Sequence, residues 1–259
     1  MDQNVEDKLL LAKLQDKIKF CKNRNKIVNT EFLNMHQEQL LKGKLNEIKF
    51  KNYLFNGGFN EAESKILILY PEKLNEEIVI RSINEIINVI KITLPNELIG
   101  KYEHRDYLSS VMKLGLGRER IGDIIVYNSE AYIIVFKENA EYIKNSLQEF
   151  TRFKKSKVEI INIEQVQSKS PEFMPVEIHV SSNRLDSIVS EIARTSRNKA
   201  EELIKNERVS INCKYEYKNS KQVNVGDVII VRGSGKYVLD DIKENIRSKR
   251  LTITLKKYV

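Results

Sequence analysis

The sequence predicts an α+β protein in three parts, and three observations carry this. Apolar residues recur at helical spacing near the N-terminus, the middle alternates strand and helix periodicities in the order β-α-β-β-α-β, and the last third pairs two short helical stripes with short strands. At roughly 100–200 residues per domain, a chain of 259 residues holds two or three. The parts are drawn as residues 1–80, mostly helical; 81–165, the β-α-β-β-α-β domain; 166–180, a linker and short strand; and 181–259, a small C-terminal domain.

The first part opens with Val5, Leu9, Leu10, Leu14, Ile18 and Phe20, which lie on one side of a helix over 5–20. Asn29 and Thr30, followed by Phe32, Leu33, Leu40 and Leu41, predict a second helix over 30–42, and a third short one is expected over 45–55. Gly57-Gly58 breaks the pattern, and Lys65 to Tyr70 before Pro71 reads as a strand.

The middle part is the most periodic. Ile86 to Leu94 is rich in β-branched residues, with Ile90, Ile92 and Leu94 alternating against Lys91 and Thr93. Tyr107, Leu108, Val111, Met112 and Leu114 follow at helical spacing over 103–114, ending at Gly115. Two apolar runs, Ile121–Tyr127 and Ala131–Phe136, flank Asn128-Ser129-Glu130 and predict a hairpin. An amphipathic helix over 138–149 and a strand over 158–163 complete the split β-α-β plan of ferredoxin-like and RRM-like folds. One face of such a sheet can stack RNA bases on aromatic side chains. The aromatics available are Tyr127, Tyr132 and Phe136, and they read equally as core.

Gln165 to Ser170, then Pro171 and Pro175, reads as a linker, with a short strand over 176–180. In the last domain Leu185, Ile188, Val189 and Ile192 form one helical stripe, with Asn183 expected as N-cap and Asp186 in the first turn. Ser196 is the expected N-cap of a second helix that turns Ala200, Leu203 and Ile204 inward; with Lys199 as its partner it forms no capping box. Val209 and Ile211 alternate as a strand, Val223 to Asp227 turns into another over 228–231, and Arg232-Gly233-Ser234-Gly235-Lys236 is a basic glycine-rich turn.

Charge points the same way. The formal net charge is +8, and residues 182–259 hold 17 basic and 10 acidic side chains, so most of the surplus is in the last domain. A local cationic excess suits a polyanion, either nucleic acid or an anionic membrane. A membrane-lying helix needs a Trp, Phe or Leu face opposite its cations. Residues 182–259 contain no Trp and no Phe, which favours nucleic acid. Arg197, Lys199, Arg208, Asn212, Arg232 and Lys236 are the residues that helices and turn would present to phosphates and sugar hydroxyls. Arginine suits this work because its planar fork holds two phosphate oxygens.

Other chemistries find little footing. No window approaches roughly 18 uncharged apolar residues, and the N-terminus MDQNVEDKLL is acidic where a secretory signal is basic. A soluble, cytoplasmic protein is expected. Cys21 and Cys213 are too far apart for a zinc knuckle or redox pair, and His36, His104 and His179 are scattered, so no metal and no cofactor is expected. His104-Arg105-Asp106 has the letters of a kinase loop without its companions. Gly115-Leu116-Gly117 lacks the third glycine of a dinucleotide loop, and Gly233-Ser234-Gly235-Lys236 lacks the hydroxyl residue of a P-loop.

Arg184-Leu185-Asp186, Ser196-Arg197, Ala200, Leu203-Ile204, Val209, Ile211-Asn212, Val225-Gly226-Asp227, Ile229 and Val231-Arg232-Gly233 resemble the RNA-binding domain first recognised in ribosomal small-subunit protein S-four, over about 60 residues. One departure is Glu207, where that family usually has the glycine that suits a left-handed helix end. Upstream, the stretch Lys51–Phe59, Glu61-Ala62-Glu63, Tyr70-Pro71, His104–Leu108, Leu114-Gly115-Leu116 and Arg118–Ile124 resemble one branch of that superfamily, the YlmH family.

The resemblance implies a small C-terminal S-four-type (alpha-L) domain and a non-enzymatic RNA-binding protein. It implies action in ribosome-associated quality control, on a large subunit holding an obstructed peptidyl-tRNA. Its partners would be ribosomal RNA and tRNA, with no membrane and no small-molecule substrate. The RNA-binding set becomes Arg184, Ser196, Arg197, Lys199, Lys205, Arg208, Asn212, Lys214, Arg232 and Lys236, with Arg105, Arg118 and Arg120 as a second cluster. Two alternatives are weighed. Pseudouridine synthases also carry an Arg-Leu-Asp run with a nucleophilic aspartate, but only 73 residues follow Asp186 and they complete the small domain itself. The other is a protein-interaction adaptor kept soluble by a basic tail.

Overall fold

A computed structural model describes residues 3–166, 173–244 and 250–258. The chain divides into two compact units, residues 1–168 and 169–259. The class is α+β, as expected.

The first unit begins with α1 (Gln3–Arg24), β1 (Val28–Asn29), α2 (Met35–Glu47), β2 (Tyr53–Asn56), β3 (Ile66–Leu69) and α3 (Glu76–Arg81). Its start is less helical than expected. β1, β3 and β2 form a three-stranded antiparallel sheet. α2 starts at 35 rather than 30 because Asn34 and Gln37 make a reciprocal capping box, both bonds 3.0 Å, while Thr30 N donates to Leu67 O at 2.9 Å. The expected helix over 45–55 does not form. Lys49 turns left-handed (φ 54) and Phe50 N bonds back to Leu45 O, which ends α2, and β2 follows.

Next come β4 (Ile87–Thr93), α4 (His104–Met112), β5 (Ile121–Val126), β6 (Glu130–Phe136), α5 (Lys137–Glu149) and β7 (Lys157–Ile161). They make an antiparallel sheet in the order β5-β6-β4-β7, the split β-α-β arrangement read from the sequence. Both of its faces are buried. Ile90, Ile92, Ala131, Ile133 and Val135 pack on α4 and α5 through Tyr107, Val111, Ile143 and Leu147. On the opposite face Ile87, Val89, Tyr132, Ile134 and Phe136 pack on Phe32, Leu54, Ile66 and Ile68 of the preceding segment. That shared core joins residues 1–80 and 81–165, drawn apart from sequence, into one unit. The fit is close at Gly122, where a side chain would meet Phe32 Cε1 at 2.8 Å.

The second unit holds β8 (Phe173–Val180), α6 (Leu185–Ile192), α7 (Arg197–Lys205), β9 (Val209–Ile211), β10 (Lys214–Tyr215), β11 (Val228–Val231), β12 (Gly235–Glu244) and β13 (Leu251–Tyr258). One sheet runs β10-β9-β11-β12-β13-β8. The expected strand over 176–180 is longer and pairs with β13 from Phe173↔Tyr258 to Val180↔Leu251, so it belongs to this unit's sheet rather than to a connector. Most of the expected linker, residues 167–172, lies outside the described residues. Leu185, Ile188, Val189, Ala200 and Ile204 close the core against Val209, Ile229, Val231, Leu239, Ile253 and Leu255. Among the described residues no helix is long and apolar enough to cross a membrane.

Candidate nucleic-acid interface

The second unit builds its charged site from the start of its two helices. Arg184, not Asn183, occupies the N-cap position of α6; Asn183 donates its side-chain amide to Val223 O at 3.0 Å. The first amides of α6 are satisfied from outside: Leu185 N donates to Lys221 O and Asp186 N to Asn219 O. Ser196 caps α7, its Oγ accepting from Lys199 N at 3.3 Å, so this hydroxyl is a structural group.

Asp186 is fully buried, and two guanidiniums converge on it. Arg184 donates from Nε at 3.2 Å and Nη2 at 2.8 Å; Arg197 donates from Nε at 3.0 Å and Nη2 at 2.8 Å. Ser187 N adds a bond to Oδ1 at 2.9 Å. Burial alone would raise the Asp186 carboxyl, but the hydrogen bonds and charges of Arg184 and Arg197 more than offset it and hold it below the usual carboxylate range. The arginine side chains remain 40% and 48% exposed. Each retains N–H donors beyond those held by Asp186. The result is a solvent-facing pair of cations set in place by one buried anion, with a net charge of +1.

The other expected residues divide by environment. Lys199 pairs with Glu202 at 2.6 Å. Lys205, Arg208 and Lys214 are exposed, with no side-chain ion pair or hydrogen bond among the described residues. Arg232 donates to the Tyr215 hydroxyl at 2.7 Å and sits 5.7 Å from that ring, while Lys236 Nζ lies 4.3 Å from the Tyr258 ring centroid. Both flank the β11–β12 turn, where Gly233 (φ 90) and Gly235 (φ 124) take conformations that suit glycine. Tyr215 and Tyr258 were missed from sequence. Their signal was an aromatic next to a lysine, Lys214-Tyr215 and Lys257-Tyr258.

Three expectations are corrected. Asn212 is not presented outward: its amide donates to Asp227 Oδ1 at 2.8 Å and accepts from Val228 N at 2.9 Å, locking the two-residue turn in which Asn212 and Cys213 both have positive φ. Arg118 donates to the carbonyls of Ile121 and Gly122. Arg120 bonds Glu138 and Asn139 and stacks 4.8 Å from the Phe136 ring. With these two held internally, Arg105, 82% exposed and near Glu103, is the outward member of the second cluster. Tyr132 and Phe136, which the sequence left open between core and base stacking, lie in the core, so the face that an RRM-like sheet would offer to bases is covered.

Asp106 accepts Glu103 N at 2.9 Å and pairs with Arg152 at 3.3 Å, a helix-start role. Glu207, the departure noted above, takes the left-handed conformation itself (φ 54), and its carboxylate accepts from the Tyr217 hydroxyl at 2.8 Å.

Residues 85–167 match the family described as "Putative RNA-binding domain in YlmH". Over 231 residues the chain is 28% identical to the ribosome-associated protein quality control protein P2 of Bacillus subtilis (strain 168), covering 88% of this chain and 86% of that protein. Among solved structures, the cell division protein ylmH from Streptococcus pneumoniae shares the fold with a TM-score of 0.51 at 23% identity, covering 63% of this chain and 96% of that one.

Proposed function

We propose that this chain, a YlmH-type RNA-binding protein, grips folded RNA of the ribosome through the cationic side of its C-terminal unit and catalyses no reaction. The observation that carries the reading is the Arg184–Asp186–Arg197 clamp. A buried carboxylate that orients two half-exposed guanidiniums lowers the entropy they lose on meeting phosphates. The same geometry argues against Asp186 as a nucleophile, since its oxygens are out of solvent and occupied by arginine donors. Arg232 and Lys236, each beside a tyrosine ring, add cations whose neighbours can also meet ribose and base.

Similarity to a ribosome-associated quality control protein supports a ribosomal partner. In the finer reading that partner is the large subunit with its ribosomal RNA and tRNA, in the state left by an obstructed peptidyl-tRNA. Work on the ribosome implies a cytoplasmic protein.

The test is sedimentation of the tagged chain through sucrose, with filter binding to ribosomal RNA across roughly 50–200 mM salt. The chain should travel with the large subunit. If about five phosphates are neutralised, the log–log salt slope should be about −4 to −5, taking B-DNA as a proxy. Arg197→Ala and Arg232→Ala should each weaken binding and reduce that slope by about one; each leaves Asp186 paired with Arg184. A chain that stays at the top of the gradient, or an affinity insensitive to salt, overturns the reading.

A further inference from the structure

The first unit holds a cleft of about 590 Å3 that the RNA-binding reading does not use. It lies where the C-terminal ends of α1 and α2 meet the 48–52 segment and the turn at Tyr70–Lys73, within the size range of small-ligand sites.

Its charge is one-sided. Lys22, Lys49, Lys51 and Lys73 line it, with Glu72 as the carboxylate among its lining residues. Among the described residues none of these four lysines is in an ion pair. A second cleft of about 520 Å3 is different: Arg120 pairs with Glu138 and Lys137 with Glu85, and its third cation, Lys17, donates to Asn29 O at 2.8 Å. Concentrated, unneutralised cations around a concavity attract an anion and focus the field that draws it in.

Its wall is aromatic as well as cationic. Phe50 is half-buried, and Lys22 Nζ lies 5.6 Å from its ring centroid. A face of this kind accepts the flat face of a base. Lys49 holds a left-handed conformation (φ 54) at the end of α2, a position where glycine is preferred and a lysine is strained.

We propose that this cleft binds a phosphorylated nucleotide, its phosphate held by Lys49 and Lys51 and its base laid against Phe50. The nucleotide is either free or the end of an RNA strand; the second source rests on the RNA-binding reading above.

The experiment is amide NMR on the full chain, titrated separately with AMP, UMP, inorganic phosphate and a five-nucleotide RNA. Lys49→Gly removes a cation and relieves the backbone, so it preserves the fold; Lys51→Ala removes a second, exposed cation. Shifts should centre on residues 48–52 and 70–73, and each variant should weaken binding about tenfold, the loss of one charge-assisted contact. Phe50→Leu should abolish the preference for nucleotide over inorganic phosphate. Shifts with the mononucleotides identify the free source, and shifts with the oligomer alone identify the strand end. No shift in the cleft with any nucleotide, affinities unchanged in Lys49→Gly and Lys51→Ala, or phosphate binding as tightly as AMP overturns the proposal. Ribosome sedimentation of Lys49→Gly separates the two readings. If it sediments normally and the cleft is silent, the cleft alone has failed; if the wild type does not sediment and the cleft binds AMP, the ribosomal reading alone has failed.

Discussion

Arg197 donates both Nε and Nη2 to a single oxygen of Asp186, at 3.0 and 2.8 Å. Arg184 reaches the same carboxylate from its own position two residues upstream, so a buried anion organises two cations from two helices. A charge with no solvent contact requires such partners, because its desolvation is otherwise uncompensated.

Asp186→Asn should therefore be costly although it is nearly isosteric. The amide keeps one acceptor oxygen and turns an NH2 toward a guanidinium. A loss of about 1–3 kcal/mol is expected in chemical denaturation, discounted for the half-exposed arginines. RNA affinity should fall with it. Nucleosides of RNA incubated with the wild-type chain should be unchanged by mass spectrometry; an altered nucleoside lost in Asp186→Asn would revive the synthase alternative.

The Asp186 pKa gives a pH dependence of definite sign. Its folded value lies below the ordinary carboxylate value, so its contribution to stability is fully present above that ordinary value. It declines as pH falls toward the folded value. Urea midpoints of the wild type should drop below about pH 4, more steeply than those of a variant in which Asp186, Arg184 and Arg197 are all replaced by apolar residues. Parallel curves would contradict the clamp.

Glu207→Gly should stabilise the second unit by about 1 kcal/mol, since glycine reaches a positive φ without the steric cost paid by Glu. Losing the bond from the Tyr217 hydroxyl offsets part of this. Removing a carboxylate should also tighten RNA binding slightly. Thermal melting and filter binding on the same preparation check both.

Tyr107→Phe should be neutral or stabilising by up to about 1 kcal/mol. The Tyr107 hydroxyl is buried with no hydrogen-bond partner among the described residues, and burial, with nearby Tyr102 and Asp106, pushes its pKa up to about 12. A loss above about 1 kcal/mol in denaturant would mean the hydroxyl has a bonded partner such as an ordered water.

Much of the fold was readable because hydrophobic period survives in the sequence. Ile90 and Ile92, the helical stripe of Leu185, Ile188 and Val189, and the hairpin at 121–136 all lie where periodicity set them. β12 was not read because a bulge between Leu239 and Asp241 breaks its alternation: Tyr237 and Leu239 point to the core, but the next apolar side chain is Ile242.

For the site, residue type and net charge indicated a cationic last domain, but not the duty of each residue. Asn212 looked like a surface amide and is a turn lock; Ser196 is a cap; Arg118 and Arg120 are held by their own unit; Tyr132 and Phe136 are core. These roles depend on contacts between residues far apart in the chain, such as Asp227 with Asn212 and Phe32 with Phe136. The order of periodicities and the placing of charge determined the α+β class and the cationic last domain, because both are local properties of the chain. Which face is covered, and which arginines are held by Asp186, was decided only by tertiary packing, because burial and ion pairing are set by what folds against a residue rather than by its neighbours in sequence.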